Sequence, residues 1–442
     1  MRELHRPDET FGKLIPAQAP RPGTFYVPSQ FSLPFSHRGK AYVFSTLTKQ
    51  CVEAVLPEST TAGAGYDDLI KARFLVPEGM DEYGFFRSVI TLLQLNNRKN
   101  LKPAYTILPT LGCNARCVYC IQEGLKPVGM NAETVEDTLR FILNDCGGKT
   151  ITLNWFGGEP LLREDVIDRI SRGLKDADVE YRSQMISNGS LITPTAIEKM
   201  VDLWHVQSIQ ISMDGAERDY IARKRYLTYR DNYHTVIEMI DRMSDMDISV
   251  SVRCNVDESN LSGVPQLLED LSAGIRNKKN VNVYLSPIYQ KMREKGSIRL
   301  LRDSLAMENR IEATGFAVTI KRIGFALSGY HCFSDTGGIL IMPDGKLLCC
   351  EELAEGSMIG TVRDGITDPD NRKVFARIQP VPGRCEDCMF LPTCMPFPTC
   401  PKFGLLCKDG YTLLTLDTLQ KMIDKESMSS GVSLHKCSDD VH

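Results

Sequence analysis

The segment Gly112-Cys113-Asn114-Ala115-Arg116-Cys117-Val118-Tyr119-Cys120 puts three cysteines within eight residues, in a C-x3-C-x2-C spacing. Three thiolates on one tight loop can hold three irons of a cubane cluster and leave the fourth iron to a small molecule. The blander alternative is three buried or zinc-bound thiols. Zinc would want a fourth ligand close by, and neither His nor Cys occurs between Glu123 and Phe141. Nine of the 15 cysteines lie between Cys332 and Cys437, in the last quarter of the 442-residue chain. An odd count cannot pair completely, and a chain this long and this sparse in Cys is no disulfide-stapled secreted scaffold. Clusters of this kind point to metal ligands.

Other residues that could do chemistry stand at the ends of strand-like runs. Gly157-Gly158-Glu159-Pro160 follows one such run, and its two glycines allow a close backbone approach to a ligand. Ser187-Asn188-Gly189 and Ser212-Met213-Asp214-Gly215 end two more. A basic stretch follows, with Arg218, Arg223, Lys224 and Arg225. Glu351 directly follows Cys350, where it is either a working acid or a solvated neighbour of Glu352. Cys51, Cys146, Cys254 and Cys437 read as ordinary thiols. The seven histidines are scattered, and His331 beside Cys332 reads as structural.

The elements that must position these groups fall into three parts. Residues 1–30 are rich in Pro, Arg and polar side chains and read as a poorly ordered arm. A small α+β unit follows to residue 98, with a strand at Ala41–Phe44, helices over Leu47–Leu56, Tyr66–Ala72 and Phe85–Leu95, and a winged-helix-like outline. From residue 99 to 325, strands and helices alternate. The strands are Tyr105–Leu111, Ile151–Phe156, Tyr181–Ser187, Ser208–Ser212, Ser249–Val256 and Asn282–Leu285. Helical patterns over Ala132–Asp145, Glu164–Ala177, Thr195–Leu203, Tyr233–Met243 and Val264–Leu271 lie between them. Six such units predict an α/β fold with a parallel sheet, a partial (β/α)6 barrel whose chemistry sits at the C-terminal ends of the strands. Residues 326–442 open with a hairpin, Ile339–Met342 and Lys346–Leu348 around Pro343-Asp344-Gly345. Loops rich in Cys, Pro and Gly come next, then a helix over Leu413–Lys425. This part cannot build a large apolar core, and thiolate-bound metal is the candidate to hold it.

Bulk properties exclude several classes. Hydrophobic residues make up 42% and charged residues 24%, as in a folded globular chain. The net charge of -4 gives no reason to expect nucleic-acid binding. There is no apolar run of about 18 residues, and the first residues lack the apolar centre of a signal peptide. A cytoplasmic location is the expectation.

The cysteine loop, with an aromatic residue before its last Cys, resembles the signature of radical S-adenosylmethionine (radical SAM) enzymes. Gly157-Gly158-Glu159-Pro160 and the stretches at Ser187, Asn188, Ser212 and Asp214 match family features in the same order. The resemblance implies a [4Fe-4S] cluster on Cys113, Cys117 and Cys120, with S-adenosylmethionine on its open iron. Tyr119, Gly157, Gly158, Glu159, Ser187, Asn188, Ser212 and Asp214 would face the cofactor, the Glu159 region would receive its amino group, and either Arg223 or Arg225 its carboxylate. One electron then cleaves the sulfonium, and the resulting 5′-deoxyadenosyl radical takes a substrate hydrogen.

The C-terminal cysteines resemble the auxiliary-cluster region called the SPASM domain. Cys332, twelve residues, Gly345, four residues and Cys350 follow its opening pattern, and Cys385, Cys388 and Cys394 its C-x2-C-x5-C. Cys400 comes after five residues where the family has three, and Cys407 follows. The resemblance implies two auxiliary [4Fe-4S] clusters, three in all. Cys332, Cys350 and Cys400 would hold one. Cys385, Cys388, Cys394 and Cys407 would hold the other. Cys349 is either a fourth ligand of the first, or that iron is open to substrate. Glu351 stands where related sulfatase-maturing enzymes carry a proton acceptor.

The three-part plan is similar to that of enzymes that mature ribosomally made peptides. It implies a precursor peptide with a leader gripped by the N-terminal unit, an electron donor such as flavodoxin or ferredoxin, and a thioether or carbon–carbon crosslink as product. The alternatives are a formylglycine-generating sulfatase maturase and, in another class, an iron–sulfur electron carrier or zinc-binding module. A carrier needs no S-adenosylmethionine pocket.

Overall fold

The computed structural model describes residues 2–5, 14–97, 101–228, 232–288, 297–317, 327, 332–374, 381–394, 400, 404 and 406–432. His331, Cys437 and the boundary at 325/326 lie outside them.

The N-terminal unit holds more strand than its sequence suggests. β1 (Arg2–His5) pairs antiparallel with β5, so part of the expected arm is built into a sheet. β2 (Phe25–Pro28) is the middle strand of a second, three-stranded sheet, with Tyr26 fully buried and its hydroxyl accepting the Arg21 N–H at 2.8 Å. Alternating apolar residues outweigh the Pro- and Arg-rich composition there. β3 (Ser32–His37), β4 (Lys40–Ser45) and β5 (Cys51–Glu53) complete the first sheet in the order β1-β5-β4-β3. The expected helix over Leu47–Leu56 does not form. A tight turn takes its place, with Lys49 in the left-handed region at φ 61°, followed by β5. Leu47, Cys51 and Val55 mimic helical spacing, but Thr46, Thr48 and Val52 are β-branched and favour extended backbone. β6 (Thr60–Thr61) and β7 (Leu75–Pro77) flank β2, and helices Asp67–Lys71 and Glu82–Asn97 lie in the expected regions.

Six parallel strands follow: β8 (Ala104–Ile107), β9 (Ile151–Trp155), β10 (Tyr181–Ser187), β11 (Val206–Ser212), β12 (Ser249–Val256) and β13 (Val281–Pro287), paired in sequence order. Each is followed by helix on the packed side. Helix Ala132–Asp145 starts where the Asn131 side chain accepts the Thr134 N–H, and helix Pro194–Asp202 where Thr193 accepts the Ala196 N–H. β8 stops at Ile107, short of the expected Leu111, and Pro109, which has no N–H to donate, lies just beyond.

The sheet does not close. β8 pairs on its far side with β14 (Ile339–Ile341), which continues through β15 (Lys346–Leu348), β16 (Met358–Thr361) and β17 (Gly365–Ile366) into a ten-stranded sheet. One apolar core runs from Tyr105 and Trp155 through Leu285 to Leu347 and Ile359. The C-terminal part therefore shares the sheet and core of the parallel unit.

One face of the parallel sheet carries the buried apolar residues. The other is polar: Thr106, Asn154, Gln210, Arg253 and Tyr284 alternate with them. There the Tyr284 hydroxyl donates to Gln210 Oε1 at 2.6 Å, and the Arg253 guanidinium to Ser286 Oγ at 2.9 Å.

The N-terminal unit docks on the C-terminal part. Every residue from Tyr42 to Gln50 is buried. Lys49 Nζ donates to Thr393 Oγ1 at 2.8 Å, Thr46 Oγ1 to the Met389 carbonyl, and Gln30 Nε2 to the Glu386 carbonyl at 3.0 Å. Phe44 and Cys51 pack on Leu419 of the last helix, Cys407–Val432, and His37 meets Asp424 at 2.7 Å. Burial beside Glu426 pushes the Cys51 thiol up to about 12, as for an inert core thiol. Among the described residues, no helix is long and apolar enough to cross a membrane.

Candidate active site

The cysteine loop leaves the C-terminal end of β8 and is tied down on both sides. The Gly158 N–H donates to the Thr110 carbonyl at 3.0 Å and the Glu159 N–H to the Gly112 carbonyl at 2.9 Å. On the other side, Arg116 N–H reaches the Lys224 carbonyl at 2.9 Å and Val118 N–H the Arg223 carbonyl at 3.1 Å. Cys113 and Cys117 are half-buried and Cys120 is exposed. Burial pushes the Cys113 thiol up to about 11, and the charges of Glu159, Cys117 and Cys120 add to it. The three thiols thus sit within electrostatic reach of one another, with one edge open to solvent.

The glycines of Gly157-Gly158-Glu159-Pro160 make room for the cysteine loop. A Cβ on Gly158 would fall 2.1 Å from the Gly112 carbonyl oxygen, and one on Gly157, at φ 120°, 2.4 Å from that of Thr110. They let this loop press against the cysteine loop, backbone on backbone. Glu159 is likewise a brace. Its fully buried carboxylate accepts from Ser187 Oγ at 2.9 Å, the Asn188 N–H at 2.8 Å and the Leu161 N–H at 3.2 Å. Burial raises its pKa to about 7 against those three hydrogen bonds. Asn188 Nδ2 donates to Asn114 Oδ1 at 2.8 Å and lies 3.9 Å from Cys113 Sγ. Ser187, Asn188 and Glu159 therefore join β9, β10 and the cysteine loop.

Ser212 and Asp214 end β11 against Lys224, the last residue of helix Glu217–Lys224. Asp214 is fully buried and takes the Asn255 N–H and Nδ2, each at 3.1 Å, on one oxygen. Its other oxygen takes the Tyr119 hydroxyl. Arg223 and Arg225 diverge. Arg225 is exposed, with left-handed backbone. Arg223 is buried, and its Nη1 meets Asp257 Oδ2 and Ser259 Oγ at 3.0 Å each. Its Nε and Nη2 have no hydrogen-bond partner among the described residues. A buried guanidinium edge left open beside a three-thiol loop fits the carboxylate of an amino-acid-bearing cofactor. Soft thiolate donors fit iron–sulfur irons.

The C-terminal thiols form two groups. Cys394 lies within electrostatic reach of Cys388, Cys407 and Cys385. Cys332 and Cys350 each lie within reach of Cys400. Cys349 is fully buried in the core that holds Leu347 and Ile359, and its thiol lies within electrostatic reach of Cys350. Among the described residues, no three His, Cys, Asp or Glu side chains converge as ligands of a single metal ion. Next to the group of Cys332, Cys350 and Cys400, Glu351 turns to the polar face of the sheet, where Thr106 Oγ1 donates to its Oε1 at 2.6 Å.

Residues 107–271, from β8 to the helix after β12, match the model of the Radical SAM superfamily. The chain carries a radical SAM domain. Among curated proteins it is similar to the AdoMet-dependent heme synthase of Methanosarcina barkeri (strain Fusaro / DSM 804), 22% identical over 64% of this chain and 88% of that protein. It is also similar to the GTP 3',8-cyclase of Clostridium perfringens (strain SM101 / Type A), 22% identical over 60% and 85%. Among solved structures, native anSMEcpe with bound AdoMet superposes with a TM-score of 0.57 at 15% identity, over 74% of this chain and all of that one. Streptococcus suis SuiB bound to precursor peptide SuiA superposes at 0.50 and 13%, over 84% and 95%. The fold shared with these proteins is the radical SAM fold, and the C-terminal cysteines of this chain are SPASM-like.

Two parts of the radical SAM domain's site escape a sequence reading. Lys224 stands among four basic residues, and the signal that separates it is Tyr220 four positions earlier, which marks the buried face of the helix. Asn255 and Asn260 hold Asp214 and its carbonyl, and nothing local marks them.

Proposed function

We propose that this chain is a radical SAM enzyme that oxidises a bound peptide to form a thioether or carbon–carbon crosslink. The observation that carries the reading is the contact between Glu351 and Thr106. It places an acid from the cysteine-rich part on the polar face of the sheet, a few residues upstream of the cysteine loop. Cys113, Cys117 and Cys120 would hold the radical SAM cluster, with Tyr119, Ser187, Asn188, Ser212, Asp214 and Arg223 around the cofactor. Bound there, cluster and S-adenosylmethionine supply one-electron chemistry that removes a substrate hydrogen. Glu351 then accepts the proton released as the substrate radical is oxidised. Cys332, Cys350 and Cys400, with Cys385, Cys388, Cys394 and Cys407, would hold two auxiliary clusters that take the electron. Cys349 would be a fourth ligand of the three-thiol group, or that position would be left for substrate. A flavodoxin- or ferredoxin-type protein would supply reducing equivalents.

The peptide substrate rests on likeness in plan. The superposition on peptide-bound SuiB extends beyond the radical SAM domain to most of this chain, and the N-terminal residues to 98 form a unit with strand edges suited to a leader peptide. The sulfatase-maturing alternative draws on the anSMEcpe superposition and predicts an aldehyde product.

The test is anaerobic incubation of the reconstituted protein with reductant, S-adenosylmethionine and each short peptide found encoded near its gene. 5′-Deoxyadenosine, with a peptide lighter by two hydrogens and crosslinked on fragmentation, supports the proposal. 5′-Deoxyadenosine with formylglycine on a sulfatase peptide supports the alternative, and no 5′-deoxyadenosine removes both. Glu351→Gln should keep 5′-deoxyadenosine formation but lower crosslink formation by about 100-fold or more, the usual weight of a positioned base.

A further inference from the structure

Lys224 is buried to 1% exposure under the cysteine loop. Its ammonium donates to Tyr119 Oη at 2.9 Å and to Ser212 Oγ, and it stands 3.4 Å from Asp214 Oδ2. Tyr119 in turn donates to that same Asp214 oxygen. Its ring centroid is 5.6 Å from Lys224 Nζ and 5.6 Å from the Arg223 guanidinium carbon. The backbone repeats the connection. Arg116 N–H donates to the carbonyls of Lys224 and Arg225, Val118 N–H to that of Arg223, and Leu227 N–H to the Asn114 carbonyl at 2.9 Å. The left-handed turn at Arg225 makes this possible by ending the helix where the chain must run beside the loop.

A fully buried ammonium is costly unless it is paired and hydrogen-bonded, and an apolar side chain of the same volume often does as well for stability alone. The expense makes sense where the surroundings carry more negative charge than one aspartate. The cysteine loop supplies that charge. Lys224 lies within electrostatic reach of Cys117, on the loop to which its own carbonyl is hydrogen-bonded. Its hydrogen bonds to Tyr119 and Ser212 and its ion pair with Asp214 keep the buried ammonium charged.

We propose that Lys224 is a positioning residue for the radical SAM cluster: its buried ammonium pins Tyr119 to Asp214 and sets the charge balance beside Cys117, so that the cluster is easier to reduce. Reduction adds one negative charge to the cluster, and a fixed cation in a low-dielectric wall stabilises the charged state. The inference rests on the assignment of Cys113, Cys117 and Cys120 as cluster ligands.

The test uses full-length holoprotein as wild type, Lys224→Met, Lys224→Arg and Tyr119→Phe. The midpoint potential is followed by electron paramagnetic resonance on the signal that changes when S-adenosylmethionine is added. Lys224→Met should lower the reduced-to-oxidised ratio at fixed potential about tenfold, a shift of about 59 mV to more negative values for one electron. Lys224→Arg should stay near wild type, and Tyr119→Phe should shift much less than Lys224→Met. A Lys224→Met protein that titrates like wild type overturns the proposal. So does Lys224→Arg shifting as far as Lys224→Met, because shape and not charge would then matter, or Tyr119→Phe doing so. If Lys224→Met cannot hold the cluster, Lys224→Arg decides: a wild-type midpoint supports the proposal and loss of the cluster overturns it. A wild type with no signal responsive to S-adenosylmethionine overturns the radical SAM assignment itself.

Discussion

Arg223 and Arg225 are two residues apart and differ in one decisive respect. Arg223 is buried with two guanidinium nitrogens open, whereas Arg225 is exposed to solvent. A carboxylate on the open edge would make charge-assisted hydrogen bonds, each contributing about 1.5–3 kcal/mol. Arg223→Met should therefore weaken S-adenosylmethionine binding by about 10- to 100-fold in an equilibrium titration of the reconstituted protein. Arg225→Met should change it less than about twofold, and equal losses in the two variants would refute the assignment. Glu159 carries the pH dependence at this scale. Its folded pKa is raised from the ordinary 4.5 to about 7. The stabilisation from the protonated form is then fully present below about 4.5 and lost as pH rises through about 7. The window corresponds to about 3 kcal/mol. In the cluster-free protein, Glu159→Gln should flatten the fall in melting temperature between pH 4.5 and 7, and an unchanged slope would contradict the linkage.

At the scale of elements, the cysteine loop is held by a loop that touches it without a side chain between them. Gly158→Ala drives a methyl into the Gly112 carbonyl. Neither partner is a flexible side chain, so the backbone must move, at about 1–3 kcal/mol. With the proposed ligand sets, this variant should lose iron at Cys113, Cys117 and Cys120 and keep iron at the C-terminal cysteines. Iron analysis with resonance spectra would check it, and a wild-type complement of iron would refute it. β10 and β12 are readable from sequence to the residue. In Tyr181–Ser187 and Ser249–Val256 every second side chain is buried under helices, so the alternation is strong. The helix Ala132–Asp145 is readable because Asn131 caps it. The stretch Leu47–Leu56 misleads because its apolar residues serve two different contacts, one inside its own sheet and one against Val381 and Leu391. The contact that Gly157 and Gly158 make with the cysteine loop is not legible in the sequence. The atoms they make room for lie 47 and 46 residues earlier in the chain, and no local pattern encodes that proximity. Lys224 hides for a similar reason, since its partners Tyr119 and Asp214 come from two other segments.

Across the whole molecule, the N-terminal unit is joined to the far end of the chain. The turn Ser45–Gln50 is wedged against residues 389–393, and Phe44 packs on Leu419. A hairpin turn is usually the most solvated part of a sheet, because a buried loop must find partners for its polar groups. Here Thr46 and Lys49 find them on the segment that carries Cys388 and Cys394. Deleting residues 1–97 should therefore leave a protein that is proteolysed within 381–394 and is depleted of iron at Cys385, Cys388, Cys394 and Cys407. An intact, fully loaded truncated protein would show the N-terminal unit to be a detachable module. The wedged turn also imposes an order on biosynthesis. Lys49 and Thr393 are 344 residues apart, so the turn waits for a segment made much later in synthesis before it can seat. Contacts of such long sequence separation form late. The segment that carries Cys388 and Cys394 thus gains the partners of its Met389 carbonyl and Thr393 hydroxyl only when two distant stretches of the chain close upon each other.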